Sequence, residues 1–163
     1  MLLGILSDTH LETPGIGGLP DWVVGALTGV DLILHAGDIE TDGVLLELEG
    51  IAPVRAVRGN CDLDLPGLPG LRIVPIPGYG AILMAHKLED AMRSGLLGGS
   101  HHVRGIVHGH THRAEFRNTF SPWVLNPGSP LKPRGGPASV AILRIDGEEL
   151  DAAFRFRPGS ADE

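Results

Sequence analysis

An α/β fold, built as a two-sheet β-sandwich flanked by helices, is the architecture this sequence predicts. Three observations lead there. The first sixty residues alternate strand-like apolar runs with amphipathic helical stretches, the pattern of parallel strands covered by helices. The remainder is richer in strands, enough for a second sheet packed on the first. Finally, four polar islands each follow an apolar β-like run: Asp8-Thr9-His10, Gly37-Asp38, Gly59-Asn60-Cys61-Asp62 and Gly109-His110-Thr111-His112. Open α/β sheets bind ligands beyond the carboxyl ends of their strands, where loops converge, so the site is expected at those ends.

Taken in order, residues 2–6 form a strand, 21–27 a helix, 32–35 a strand, 44–48 a helix and 53–57 a strand. Trp22, Val23, Ala26 and Leu27 share one helical face, as do Val44, Leu45 and Leu48. Pro20 suits a first helical turn. In the second half the expected strands are 71–75, 81–85, 105–108, 123–125, 139–145 and 150–156. A short helix over 89–97 should end near Gly98-Gly99. Asp146-Gly147 reads as a hairpin turn, with Glu148-Glu149 lengthening the loop. There is no internal repeat. A single domain over 1–157 with a flexible tail at 158–163 is the expected organisation.

At 163 residues the chain is too short for two ordinary domains. Its 42% hydrophobic and 20% charged content is that of a globular protein, and 24 glycines with 13 prolines imply many tight turns. The net charge of −7 and the lack of a long basic run exclude extended nucleic-acid binding and adhesion to anionic lipid. No apolar stretch reaches the roughly 18 residues of a membrane span. The apolar start has no basic residues before it and reads as a strand rather than a signal peptide. The single cysteine, Cys61, excludes an internal disulfide and a Cys-based zinc knuckle. A cytoplasmic protein is expected, and apolar sheet edges are compatible with a homodimer.

Judged one at a time, the island residues are as readily turn or cap residues as ligands. Together they form a chelating set. Asp8 and His10, like His110 and His112, are two apart, so in an extended segment both members of a pair point to one side. Asn60 adds a neutral oxygen. Imidazole, carboxylate and amide oxygen without thiolate suit divalent transition metals: Mn foremost, or Fe, Ni, Co or Zn. Two such ions would add about four positive charges against Asp8 and Asp38, making the site attractive to phosphate in an acidic protein.

The series Asp-x-His, Gly-Asp, Gly-Asn-x-Asp, a later His86 at a strand end, and Gly-His-x-His resembles the motifs of the calcineurin-like metallophosphoesterases. Cys61 inside the third island, and Asn126-Pro127-Gly128-Ser129 with Pro133-Arg134 soon after, resemble the small bacterial and archaeal phosphodiesterase branch. The retromer's metallophosphoesterase-like subunit shares that fold. The resemblance runs from Leu2 to about Phe156. It implies that Asp8, His10 and His112 hold one metal, that Asn60, His86 and His110 hold the other, and that Asp38 bridges both. It also implies a hydroxide shared by the metals as nucleophile, with Asp38, Asn60 and His110 at the heart of catalysis.

Two positions depart from the family. Related monoesterases carry His where Cys61 stands, and that His is thought to protonate the leaving group. A thiol, with an ordinary pKa of about 8.5, is a poor substitute. Lys87 follows His86 where the family usually has Gly. Cys61, Lys87 and Arg134 are the candidate substrate contacts. Asp62, His35 and His108 read as supporting or packed residues, and His101 and His102 as a polar loop. The expected function is therefore a metal-dependent phosphodiesterase acting on a small phosphodiester. A phosphomonoesterase and a non-catalytic protein-interaction scaffold on the same fold remain as alternatives.

Overall fold

A computed structural model describes residues 1–11, 18–63 and 65–159. The expected tail beyond residue 159, and most of the 11–19 loop expected to shape the groove, lie outside the described residues. The element order is β1 (Leu2–Leu6), α1 (Asp21–Leu27), β2 (Leu32–His35), α2 (Asp42–Glu49), β3 (Val54–Ala56), β4 (Leu71–Ile76), β5 (Gly80–Ala85), α3 (Leu88–Arg93), β6 (Val103–Val107), β7 (Ala114–Arg117), β8 (Trp123–Pro127), β9 (Ser139–Asp146) and β10 (Glu149–Phe156).

These strands make two five-stranded sheets, ordered β10-β9-β1-β2-β3 and β4-β5-β6-β8-β7. The β1-β2-β3 and β5-β6-β8 pairings are parallel, so each sheet has a core of strands whose carboxyl ends point one way. Alternation along the strands explains the layers. From β1, β2, β5 and β6, Leu3, Ile5, Leu34, Ile82, Met84 and Val107 point into the space between the sheets. Ile33 faces the opposite way and meets Val23 and Leu27 of α1 and Val44 and Leu48 of α2. Leu83, Ala85 and Ile106 pack with Ala91 of α3 on the outer face of the second sheet. Central strands buried on both faces read as continuous apolar runs, as β1, β2 and β5 do.

Some sequence expectations are corrected. α3 ends at Ser94, well before Gly98: the Ser94 hydroxyl donates to Ala91 O at 2.7 Å, and Gly95 follows with φ 72°, a left-handed C-terminal turn. The β9–β10 loop is only Gly147-Glu148, because Glu149 already pairs with Asp146. Gly147, at φ 58°, supplies the positive φ that a two-residue hairpin needs at its first position. Pro20 caps α1 from one position before its first turn. β7 has no counterpart among the expected strands. Its sequence is mostly polar because it is an edge strand, and only Phe116 turns inward, edge-on to Trp123 with ring centroids 6.1 Å apart.

Candidate metal centre

The carboxyl ends of five strands meet at one edge of the sandwich. β1 delivers Asp8 and His10, β2 delivers Asp38, β3 leads to Asn60, β5 to His86, and β6 to His110 and His112. Strands of both sheets contribute, so the donors face one another across the mouth of the sandwich.

Asp38 Oδ2 lies between two donor groups. On one side it is 3.6 Å from His10 Nε2; on the other it is 3.2 Å from His86 Nε2. The first group continues through His10 Nε2 to His112 Nε2 at 3.3 Å, and from there to Asp8 Oδ1 at 3.3 Å. The second continues from His86 Nε2 to Asn60 Oδ1 at 3.1 Å. Asp8, His10 and His112, and likewise Asp8, Asp38 and His86, keep their ligand atoms within 4.8 Å of one another.

The outward nitrogens reveal what the inward ones are for. His10 Nδ1 faces the Glu40 carboxylate, His86 Nδ1 faces Ala36 O at 2.9 Å, and His112 Nδ1 faces Lys132 O at 2.5 Å. Each partner is an acceptor, so in the neutral ring the proton resides on Nδ1 and Nε2 presents a lone pair. The centre is thus lined by acceptors directed at acceptors: two imidazole nitrogens at 3.3 Å, flanked by carboxylate oxygens. Such a set is completed by cations, and histidines whose second nitrogen is held by a carbonyl or carboxylate are the usual form of metal ligands. The residues fit a site for divalent metal ions.

The expectation that Asp8/His10 and His110/His112 converge because they are extended is corrected. All four adopt left-handed backbone, at φ 55°, 47°, 69° and 60°, and so does Asp38 at 55°. Asp and His tolerate this region better than most residues, but it must be held. Asp62, buried, holds the Asp38 loop by accepting four backbone N–H groups. Asp38 N (3.0 Å) and Gly59 N (2.7 Å) donate to Oδ2, and Ile39 N (2.6 Å) and Glu40 N (2.8 Å) to Oδ1. Asn126 Nδ2 donates to Gly109 O at 2.9 Å and to Thr111 Oγ1 at 3.0 Å, fixing the loop of His110 and His112. The Ser129 hydroxyl donates to Asp8 O at 2.7 Å. Close packing of the loops demands glycine twice: a Cβ on Gly59 would lie 2.1 Å from Asp38 Oδ1, and one on Gly109 1.8 Å from Ser7 Oγ.

Electrostatics reflect the crowding. Burial raises the pKa of the Asp8 carboxyl, an effect that Ser7 and the histidines only partly offset. Burial also acts to raise Asp38, but the His86 ring and the Cys61 N–H outweigh it and hold Asp38 well below the usual carboxylate range. His86 is pushed down by burial and, more strongly, up by Asp38 and Ala36 O. The acceptors that draw a proton to His86 are the ones that would draw a metal. His35, fully buried behind the site, is driven down to about 3 by burial.

His110 stands apart from the tight donor groups. Its backbone N–H donates to both Asp8 oxygens, at 3.2 and 3.0 Å, while its exposed ring lies edge-on to His86 with centroids 5.2 Å apart. Partial burial and the charges of His86 and Lys87 lower its pKa. Cys61 is exposed, beside the centre; its N–H donates to Asp38 Oδ1 at 2.8 Å. Its thiol is pushed up to about 11 by what burial it has and by Asp38, so it is protonated and not nucleophilic. Arg134 enters through its backbone, its N–H donating to His112 O at 3.1 Å, while the residue itself is exposed. His101 and His102 are exposed on their loop. Sequence reasoning missed Glu40 and the supporting roles of Asn126 and Ser129; an acidic residue two positions past Gly-Asp was the available signal for the first.

The profile of the calcineurin-like phosphoesterase superfamily domain matches residues 1–148. A probable metallophosphoesterase of Methanothermobacter thermautotrophicus is 39% identical over 157 residues, covering 93% of this chain and 90% of the relative. The phosphodiesterase YfcE of Escherichia coli K12 is 28% identical, covering 90% of this chain and 89% of its own. Among solved structures, the Zn2+ complex of Entamoeba histolytica Vps29 superposes with a TM-score of 0.75 at 21% identity, over 95% of this chain and 97% of that one. By its sequence, and with a fold to match, the chain belongs to the calcineurin-like phosphoesterase superfamily.

Proposed function

We propose that this protein hydrolyses a small phosphodiester at a binuclear metal centre. The observation that carries the proposal is the pair of donor groups sharing Asp38 Oδ2, one with Asp8, His10 and His112, the other with Asn60 and His86. His110, on the rim of the second group, would complete it or contact the substrate. Bound divalent cations supply Lewis acidity toward phosphate oxygens and make water nucleophilic near neutral pH. The protein's part is to hold the donors rigid, through Asp62, Asn126 and Ser129, and to keep a shared carboxylate ionised between the two halves. Lys87, next in the chain to His86 and half-buried, would meet the substrate's negative charge.

Cys61 sets the preference for diesters. It occupies the rim position from which an imidazole would protonate a leaving group, and a thiol donates hydrogen bonds weakly. Substrates whose leaving group departs without protonation are favoured. The name of the Escherichia coli relative, a phosphodiesterase, supports the same substrate class.

The test is metal analysis combined with two assays on one preparation. The expected result is about two equivalents of transition metal and Mn-supported turnover of bis-p-nitrophenyl phosphate, faster than p-nitrophenyl phosphate with its identical leaving group. Asp38→Ala should abolish both uptake and turnover. Full activity after metal stripping would overturn the proposal. Metal uptake with no turnover of any diester would favour the scaffold reading that the Vps29 likeness suggests.

A further inference from the structure

Of the three histidines whose outward nitrogen is held, His10 alone is held by a side chain. His86 and His112 donate to backbone carbonyls, of Ala36 and Lys132, whereas His10 Nδ1 meets the Glu40 carboxylate. A carboxylate acceptor makes a charge-assisted bond, roughly twice as strong as a neutral one. It also withdraws positive charge from the ring and leaves Nε2 a better donor to a metal.

The placement of Glu40 is itself constrained. Its backbone is left-handed, at φ 74°, a conformation glutamate rarely adopts and glycine would adopt freely. It is held there by Asp62 Oδ1, which accepts the Glu40 N–H at 2.8 Å while the same carboxylate clamps Asp38 N and Gly59 N. One buried anion therefore sets two carboxylates at once, Asp38 in the centre and Glu40 behind His10. Glu40 is mostly buried, its side chain 17% exposed, and that of His10 is 9% exposed.

We infer that Glu40 is a positioning residue that orders the His10 ring and strengthens its donor nitrogen, so that the Asp8–His10–His112 half-site is the tighter of the two and fills first. The inference rests on the binuclear reading. A competing use of the same atoms is direct chelation by His10, Glu40 and Cys61, whose ligand atoms also lie within 4.8 Å of one another. Chelation through Nδ1 would have to displace the bond that this nitrogen makes to Glu40.

The experiment is a Co2+ titration of stripped, full-length protein, followed by visible absorbance and by competition with a chelator. The wild type should take up two equivalents in separable steps. Glu40→Ala should weaken the first step about 10- to 100-fold, the range seen when such partners are removed, with the second step changed less than about twofold. Glu40→Gln retains an acceptor without the charge and should recover part of the loss, and Cys61→Ser should leave the first step unchanged. Equal weakening of both steps, or no change in Glu40→Ala, overturns the positioning role. A loss in Cys61→Ser matching that in Glu40→Ala overturns it in favour of chelation. A wild type that takes up fewer than two equivalents refutes the binuclear reading instead. Unchanged far-ultraviolet dichroism and melting confirm that each variant is folded.

Discussion

His35 should make this protein acid-sensitive in a defined window. It is completely buried; its Nδ1 accepts the Gly37 N–H at 3.2 Å, so Nε2 carries the proton and donates to Thr9 Oγ1 at 3.1 Å. Burial holds its pKa at about 3, against 6.5 for the free side chain. Between those values the unfolded chain binds a proton that the native state refuses, so unfolding free energy rises with pH there. The contribution is fully present above pH 6.5 and is lost as pH falls toward 3. At about 1.4 kcal/mol per pH unit, the window amounts to about 5 kcal/mol, as much as the whole stability of a marginal domain. The assay is urea denaturation of metal-stripped protein at a series of pH values from 7.5 to 4, for wild type and His35→Gln. Asp8 and His86 titrate in both proteins and largely cancel in the difference. The wild type should lose ground to the variant by about 1.4 kcal/mol per unit below pH 6.5. A difference that stays flat down to pH 4 would falsify the assignment of His35 as a neutral, buried group.

Two further outcomes follow from the supports of the site. Asp62→Asn turns one of two acceptor oxygens into a donor facing backbone N–H groups, and should cost about 3 kcal/mol in urea titrations while weakening metal uptake, since Asp38 and Glu40 both depend on it. Gly109→Ala puts a methyl 1.8 Å from Ser7 Oγ and 2.6 Å from Asp8 Oδ2; it should lower stability by about 1–3 kcal/mol and depress diesterase activity more than a surface Gly→Ala elsewhere, such as at Gly136.

The parts of the fold legible in the sequence were those where burial sets the pattern. β1, β2 and β5 are covered on both faces and announce themselves as apolar runs; β7, exposed at an edge, does not. The candidate ligands were legible because strand ends concentrate function, and the structure brings Asp8, His10, Asp38, Asn60, His86 and His112 within a few ångströms of one another. Their geometry was not legible. Spacing two apart suggested extended backbone, but the loops double back through left-handed residues, a choice made by contacts distant in sequence such as Asp62 to Asp38 and Ser129 to Asp8. Glu40 could be noticed as an acidic residue two positions past Gly-Asp, but its role could not be read, since that depends on His10, thirty residues away.

Backbone strain at the centre carries a last consequence. Seven described non-glycine residues have positive φ, and six of them, Asp8, His10, Asp38, Glu40, His110 and His112, belong to the site. Such conformations persist only where surroundings over-determine them, at a cost of about 1–3 kcal/mol each. His110 isolates that cost, because its ring is exposed and its backbone N–H bond to Asp8 does not depend on the side chain. His110→Ala and His110→Gly remove the same imidazole and should impair turnover alike. At φ 69°, however, alanine keeps the strain and glycine releases it, and the release offsets the greater freedom glycine has in the unfolded chain. His110→Gly should therefore be the more stable variant by up to about 1 kcal/mol in metal-free urea denaturation. An alanine variant as stable as the glycine one would mean that the left-handed loop is not strained, and that its donors are not held in advance of the metal.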